Sequence, residues 1–167
     1  MTVKAISATI LLGAIPLVVY QLPDGGYKVD AIGVMGAVDK QKQSLTRFIN
    51  GKSPLALPFS GYNFTKVASI PVDGNAQLIK PIPILLATAY WLNQANKGNQ
   101  RAQALVQASM AESIERRADA AFTIKRTERE YNVRFDKSFE WAVLGNRQDV
   151  IDRRLPGDDL YLPDGIN

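Results

Sequence analysis

From Thr9 to Leu22 the chain is almost wholly apolar, with β-branched residues at Thr9, Ile10, Ile15, Val18 and Val19. Runs of this kind predict buried strands, which we place at Thr9–Leu12 and Ile15–Leu22. Pro23-Asp24-Gly25-Gly26 predicts a turn, after which Tyr27-Lys28-Val29 returns as a short strand. Asp30 is placed to cap a short helix over Ala31–Val38. Asp39-Lys40-Gln41 breaks it, and a second short helix is expected over Lys42–Asn50, ending at Gly51. Lys52 to Pro58 reads as loop. Two further strands, Tyr62–Val72 and Ala76–Ile82, are expected on either side of Asp73-Gly74-Asn75, a hairpin turn sequence.

The pattern then changes period. Pro83 suits a first helical turn, and Ile84, Leu85, Thr88, Trp91, Leu92 and Ala95 recur at helical spacing. Gly98 can take the left-handed conformation that closes this helix, and Asn99 can cap the next. The second long helix carries Ala102, Leu105, Val106, Ser109, Met110, Ser113, Ile114, Arg117 and Ala121 on one face, with alanines beside it that admit a close neighbour. We read it as the packing spine of the molecule. Phase is lost near Thr123–Arg126. Thr127 with Glu130 forms a capping box, so a new helix is expected there, with Tyr131, Phe135, Phe139 and Ala142 as its stripe and Gly145 as its end.

These elements predict an α+β fold: a small antiparallel sheet, a short helix pair and a long C-terminal helical part. The expected organisation is a domain over residues 1–122, a helix over 123–145 and an irregular tail over 146–167. Two apolar stripes, at 102–121 and 131–142, exceed what a small sheet can cover. A homo-oligomer is therefore expected through Leu105, Met110, Ile114, Tyr131, Phe135 and Phe139.

Composition narrows the chemistry. With no cysteine, disulfides and thiolate metal sites are excluded; with no histidine, the usual general base and the usual zinc ligand are absent too. No metal or other cofactor is expected. The net charge of +4 is unevenly spread. Residues 1–111 hold ten Lys/Arg against four Asp/Glu, while the tail from Asn146 holds three against five. The basic excess in the N-terminal part suits a polyanion partner. The uncharged stretch from Ala5 to Tyr20 imitates a signal peptide, but Ser7, Thr9 and Pro16 interrupt it and no small-x-small site follows before Pro23. It also falls short of the roughly 20 apolar residues of a membrane span. The expectation is a cytoplasmic protein with no membrane partner.

The two short helices have helix-turn-helix size, with Val34, Val38, Leu45 and Phe48 where that motif buries residues. The second would present Gln41, Lys42, Gln43, Ser44, Thr46 and Arg47 outward. Gln, Ser, Thr and Arg can read base edges, and Lys40, Lys42 and Lys52 can hold phosphates. Double-stranded DNA is thus the expected partner. Asp39 departs from the motif, since it stands at the turn position that favours glycine and would face a DNA backbone poorly. The same spacing suits an ordinary packed helix pair; the clustered basic residues favour the DNA reading.

The order strand, turn, strand, helix pair, hairpin, long helix pair, together with Tyr27–Lys52 and Ile79–Arg117, resembles the N-terminal domain of phage antirepressors of the BRO and KilA type. That resemblance implies regulatory DNA binding in a phage or mobile-element setting. Ala87-Thr88-Ala89-Tyr90-Trp91-Leu92, Ala95-Asn96-Lys97-Gly98-Asn99 and Glu115-Arg116-Arg117-Ala118-Asp119 also resemble small proteins of cyanobacteria and their phages.

Two other functions compete. A metal-dependent nuclease needs paired acids and a lysine on adjacent strands. Asp24 stands at a strand end without such a partner, and between Asp73 and Lys80 the second acid position holds Leu78. No catalysis is therefore expected. A protein-binding factor, engaging a host regulatory protein through Tyr131, Phe135, Phe139 and Trp141, is the other alternative. Glu112 with Arg116, and Glu115 with Asp119, read as a solvated helix face. Arg116, Arg117, Lys125, Arg126 and Arg129 are secondary candidates for phosphate contacts.

Overall fold

Two seven-residue strands, β1 (Ile6–Leu12) and β2 (Ile15–Gln21), pair antiparallel across a two-residue turn in the computed structural model of this chain, which describes residues 5–41, 43–62, 70–71, 78–79 and 81–144. Gly13 leads the turn with φ +63°, as a tight hairpin with glycine first requires. A Cβ there would overlap the Asp136 carboxylate and lie 2.5 Å from a Phe135 ring carbon. β3 (Tyr27–Asp30) pairs with β2. β4 (Ile70–Pro71) and β5 (Leu78–Ile79) form a separate antiparallel pair, and β6 (Pro81–Pro83) closes the main sheet against β3. The sheet order is β1-β2-β3-β6, antiparallel throughout. Lys42, Lys80, most of the expected strands with their turn (residues 63–69 and 72–77), Gly145 as the expected helix end, and the tail 146–167 lie outside the described residues.

The helices are α1 (Ala31–Gly36), α2 (Gln43–Ile49), α3 (Ile84–Asn96), α4 (Gln100–Ala121) and α5 (Glu128–Leu144). Asp30 caps α1 by accepting the Gly33 N–H. The expected loop after Lys52 is instead a 3-10 helix over Pro54–Phe59, which Ser53 starts by accepting the Leu55 N–H. The fold is α+β. Val34, Val38, Leu45, Ile82, Leu86, Tyr90 and Leu105 are fully buried, in one cluster with Ile15, Leu17 and Val29 of the sheet and Phe135 of α5. Each buried aliphatic side chain contributes roughly 1.5–3 kcal/mol relative to exposure. No helix among the described residues is long and apolar enough to cross a membrane.

Both helix corners are local chemistry. Gly98, at φ +91°, ends α3: its N–H reaches Ala95 O and the Asn99 N–H reaches Gln94 O. Asn99 then caps α4 by accepting the Ala102 N–H. At the next corner the same pair of hydrogen bonds recurs, Thr123 N–H to Ala120 O and Ile124 N–H to Asp119 O, with Thr123 at φ +58°. The capping box at Thr127 and Glu130 is reciprocal, with Glu130 accepting the Thr127 N–H at 2.6 Å and Thr127 Oγ1 accepting the Glu130 N–H at 3.2 Å.

Three packing expectations are corrected. The strand read as buried at Thr9–Leu12 begins at Ile6 and forms an edge, exposed from Ile6 to Leu11. The buried face of α3 is Leu86, Ala87, Tyr90, Trp91 and Gln94, so Ile84, Leu85, Thr88 and Leu92 point outward. Of the six residues expected at an oligomer seam, Leu105, Tyr131 and Phe135 are buried within the chain and Phe139 packs against its core. The reason is that α5 folds back along α4 and docks on the β1–β2 turn, where Asn132 and Asp136 accept the N–H groups of Gly13 and Ala14. Met110 and Ile114 stay exposed.

Candidate functional site

The helix pair is built as its spacing demands: Val34, Val38, Leu45 and Phe48 are all buried. Its turn needs a left-handed residue, and Asp39 supplies it at φ +56°. A short polar side chain tolerates that conformation better than most. Three side chains from the α3–α4 region satisfy the carbonyls at the end of α1 and in the turn. Trp91 Nε1 donates to Val34 O at 2.8 Å, Arg101 Nε to Ala37 O at 2.7 Å and Asn99 Nδ2 to Val38 O at 2.9 Å. The end of α1 and the turn are thus fixed by α3 and the start of α4.

In front of it lies an open cleft of about 790 Å³ between α2 and the end of α3, lined among others by Lys40, Gln43, Arg47, Gln94 and Lys97. Lys40, Gln41, Gln43, Thr46, Arg47 and Lys52 are exposed, as expected of them. Gln43, Thr46 and Arg47 fall on one exposed side of α2, continued by Asn50 just past its end, and Arg47 Nη2 donates to Gln43 Oε1 at 3.1 Å. Lys42 lies outside the described residues. Ser44 departs from expectation. Its hydroxyl bonds the Tyr90 hydroxyl at 2.7 Å, so it serves the packing of α2 on α3 rather than the surface. Burial, opposed by that hydrogen bond, pushes the Tyr90 phenol above its usual range.

Two residues join the site that were not among those expected there. Lys97 reaches the cleft from the end of α3. Asn50 extends the exposed side of α2 by one turn. For Asn50 the helical spacing from Gln43, Thr46 and Arg47 was the usable signal; nothing local pointed to Lys97. Asp39 lines the cleft as well, and its carboxylate lies 4.0 Å from Arg101 Nε.

Much of the second cluster of charge, along α4 and α5, is committed to the fold, while Arg117, Lys125 and Arg129 stay exposed. Arg116 pairs with Glu112 at 2.7 Å, forks onto both oxygens of Glu128 at 2.9 Å and stacks 3.9 Å from the Tyr131 ring centroid. Asp119 is buried, accepting Arg126 Nε at 2.8 Å and the Tyr131 hydroxyl at 2.9 Å. Arg134 Nε donates to Glu115 at 2.8 Å. The face expected to be solvated is therefore a polar seam between two helices. The Arg126 hydrogen bond, above all, holds the Asp119 carboxyl below the usual carboxylate range. Among the described residues no group of three or more acids is placed to hold a metal. Comparison with protein-family models, with curated proteins and with solved structures finds no match.

Proposed function

We propose that this chain is a non-catalytic, regulatory DNA-binding protein that meets duplex DNA through α2 and the turn before it. One observation carries the reading. Base-reading side chains (Gln43, Thr46, Arg47, Asn50) share an exposed side of a short helix, and Lys40, Arg47 and Lys97 surround the cleft beside it. Cations held around an edge of that kind suit phosphates, and amide and guanidinium groups suit base edges. The rigid backing from Trp91, Asn99 and Arg101 supports it, because a reading helix works only if its position is fixed. The resemblance to antirepressor N-terminal domains points the same way, toward a regulatory role in a phage or mobile element.

The test is fluorescence anisotropy with a labelled random duplex at about 50 and 200 mM salt. Binding that weakens with salt, and a slope that falls by about 0.9 for each of Lys40, Lys52 and Lys97 changed to Ala, is the expected result. No binding at the lower salt would reject it. Met110 and Ile114, exposed on α4, then favour the alternative of a protein-binding factor.

A further inference from the structure

We infer that β1 is a seam between two copies of this chain, joined edge to edge in an antiparallel two-fold so that the two sheets become one. Such a seam is independent of DNA binding.

β1 is the last strand of the sheet. Ala5, just before it, is buried and sits in a β-bridge, but from Ile6 to Leu12 the outer edge has no strand partner among the described residues, and such an edge is a template for another strand. The opposite edge is guarded: β6 is three residues long and carries Pro81 and Pro83, which have no N–H to offer. β1 has seven residues, no proline and no charge. Such an edge invites pairing rather than resisting it.

The side chains agree with the backbone. Ile6 is 61% exposed, Ile10 42% and Leu11 50%, although the run has the composition of a buried strand. In the β1–β2 register Ile10 faces Leu17 and Leu12 faces Ile15, and both β2 residues belong to the main core. Ile6, Ala8 and Ile10 therefore continue the core face of the sheet beyond the helices that cover it.

The order of residues selects a second copy as the occupant. An antiparallel two-fold sets each residue against one mirrored in the same strand. Ile6-Ser7-Ala8-Thr9-Ile10 is symmetric in chemistry about Ala8. Centred there, Ile6 meets Ile10 of the other copy, Ser7 meets Thr9, and Ala8 meets Ala8. Apolar pairs fall on the core face and hydroxyl pairs on the other, both favourable across antiparallel strands. Centring on Thr9 would set Ser7 against Leu11 and lose that match. A foreign strand would not require the symmetry. The seam is short beside standard interfaces of about 1,200–2,000 Å², so a micromolar dimer is expected rather than a permanent one.

The test uses the full chain in sedimentation experiments from about 1 µM to 1 mM, a range that brackets such an affinity. The expected mass rises from 18.4 kDa to twice that value. Changing Ile6 and Ile10 together to Lys should hold the chain at 18.4 kDa, as should changing both to Glu. Mixing the Lys and Glu forms should restore the dimer, since position 6 of one copy faces position 10 of the other. As a readout that keeps the apolar edge intact, Ala8→Cys in this cysteine-free chain should give a disulfide-linked dimer with oxidised glutathione, while Thr9→Cys should not. A monomer throughout the range overturns the inference. So does a dimer indifferent to positions 6 and 10, or one that crosslinks at Thr9→Cys and not at Ala8→Cys.

Discussion

The Asn99 side chain donates from Nδ2 to Val38 O at 2.9 Å while its Oδ1 accepts the Ala102 N–H at 2.9 Å. One amide thereby starts α4 and holds the turn that follows α1. The candidate DNA-reading helix is positioned by a residue that lies outside it.

Asn99→Asp keeps the cap but sets a carboxylate oxygen, an acceptor, where Nδ2 donated to Val38 O. It should lower stability by about 0.5–1.5 kcal/mol, the worth of one hydrogen bond. Asn99→Ala loses both bonds and should lower it by about 1–3 kcal/mol. Urea unfolding of the two variants measures the difference. No loss in Asn99→Asp would show that the Val38 contact does nothing in solution, and equal losses would show the same of the cap.

The two helix corners make an opposed pair. Gly98 and Thr123 close their helices with the same hydrogen bonds at φ +91° and +58°. Glycine suits that region, whereas a β-branched residue is strained there. Gly98→Ala should destabilise by about 1–2 kcal/mol, and Thr123→Gly should stabilise by up to about 1 kcal/mol once its extra unfolded-state entropy is counted. Thermal melting of both variants checks the opposite signs.

Acid should loosen the α4–α5 corner first. Arg126 holds the Asp119 carboxyl low, Arg116 does the same for Glu128, and the Thr127 N–H does so for Glu130. A carboxyl whose folded pKa lies below its unfolded value of about 4 adds stability above that value and loses it as pH falls through the folded one. The melting temperature should therefore drop as pH is taken below about 4. Asp119→Asn should melt lower than the parent at neutral pH, and the gap should close in acid. A gap that persists unchanged there would mean that the substitution acts through packing and not through charge.

Features set by neighbouring residues were legible in the sequence. Asp30 at the start of α1, Gly98 and Asn99 at the α3–α4 corner, and the Thr127–Glu130 box each depend on atoms three to five residues away. Leu85 and Leu86 are equally apolar, so periodicity alone could not choose between them. The choice is made by Tyr90 reaching Ser44 and Trp91 reaching Val34, both distant in sequence. Asp119 looked solvated because Glu115 and Arg116 precede it on α4. Its burial follows from the reversal of α5, which brings Arg126 and Tyr131 to it. In the candidate site, Arg47 and Gln43 were legible as one helical turn, and Lys97 was not.

Reading and scaffolding can be separated on α2 itself. Arg47 and Gln43 are exposed and joined to each other, while Ser44, beside them in sequence, is tied to Tyr90. If α2 enters a groove, Arg47→Ala should weaken binding to a selected site by about 1–3 kcal/mol and relax preference at one base position. Lys40→Ala, Lys52→Ala and Lys97→Ala should instead weaken binding to every duplex alike and lower the salt slope by about 0.9 each. Ser44→Ala should leave the exposed face intact and lower stability by about 1–3 kcal/mol, because the Tyr90 hydroxyl is left without its partner. Phe48→Ala, which removes a buried ring packed at 5.8 Å from Tyr90, should cost about 3–5 kcal/mol and abolish binding only through unfolding. Site selection followed by anisotropy and urea unfolding on the same variants gives both readouts. If Arg47→Ala, Lys40→Ala and Lys97→Ala all bind as the parent does while Ser44→Ala loses stability as expected, α2 is scaffold alone. The functional surface must then be sought on the exposed side of α4, at Met110 and Ile114.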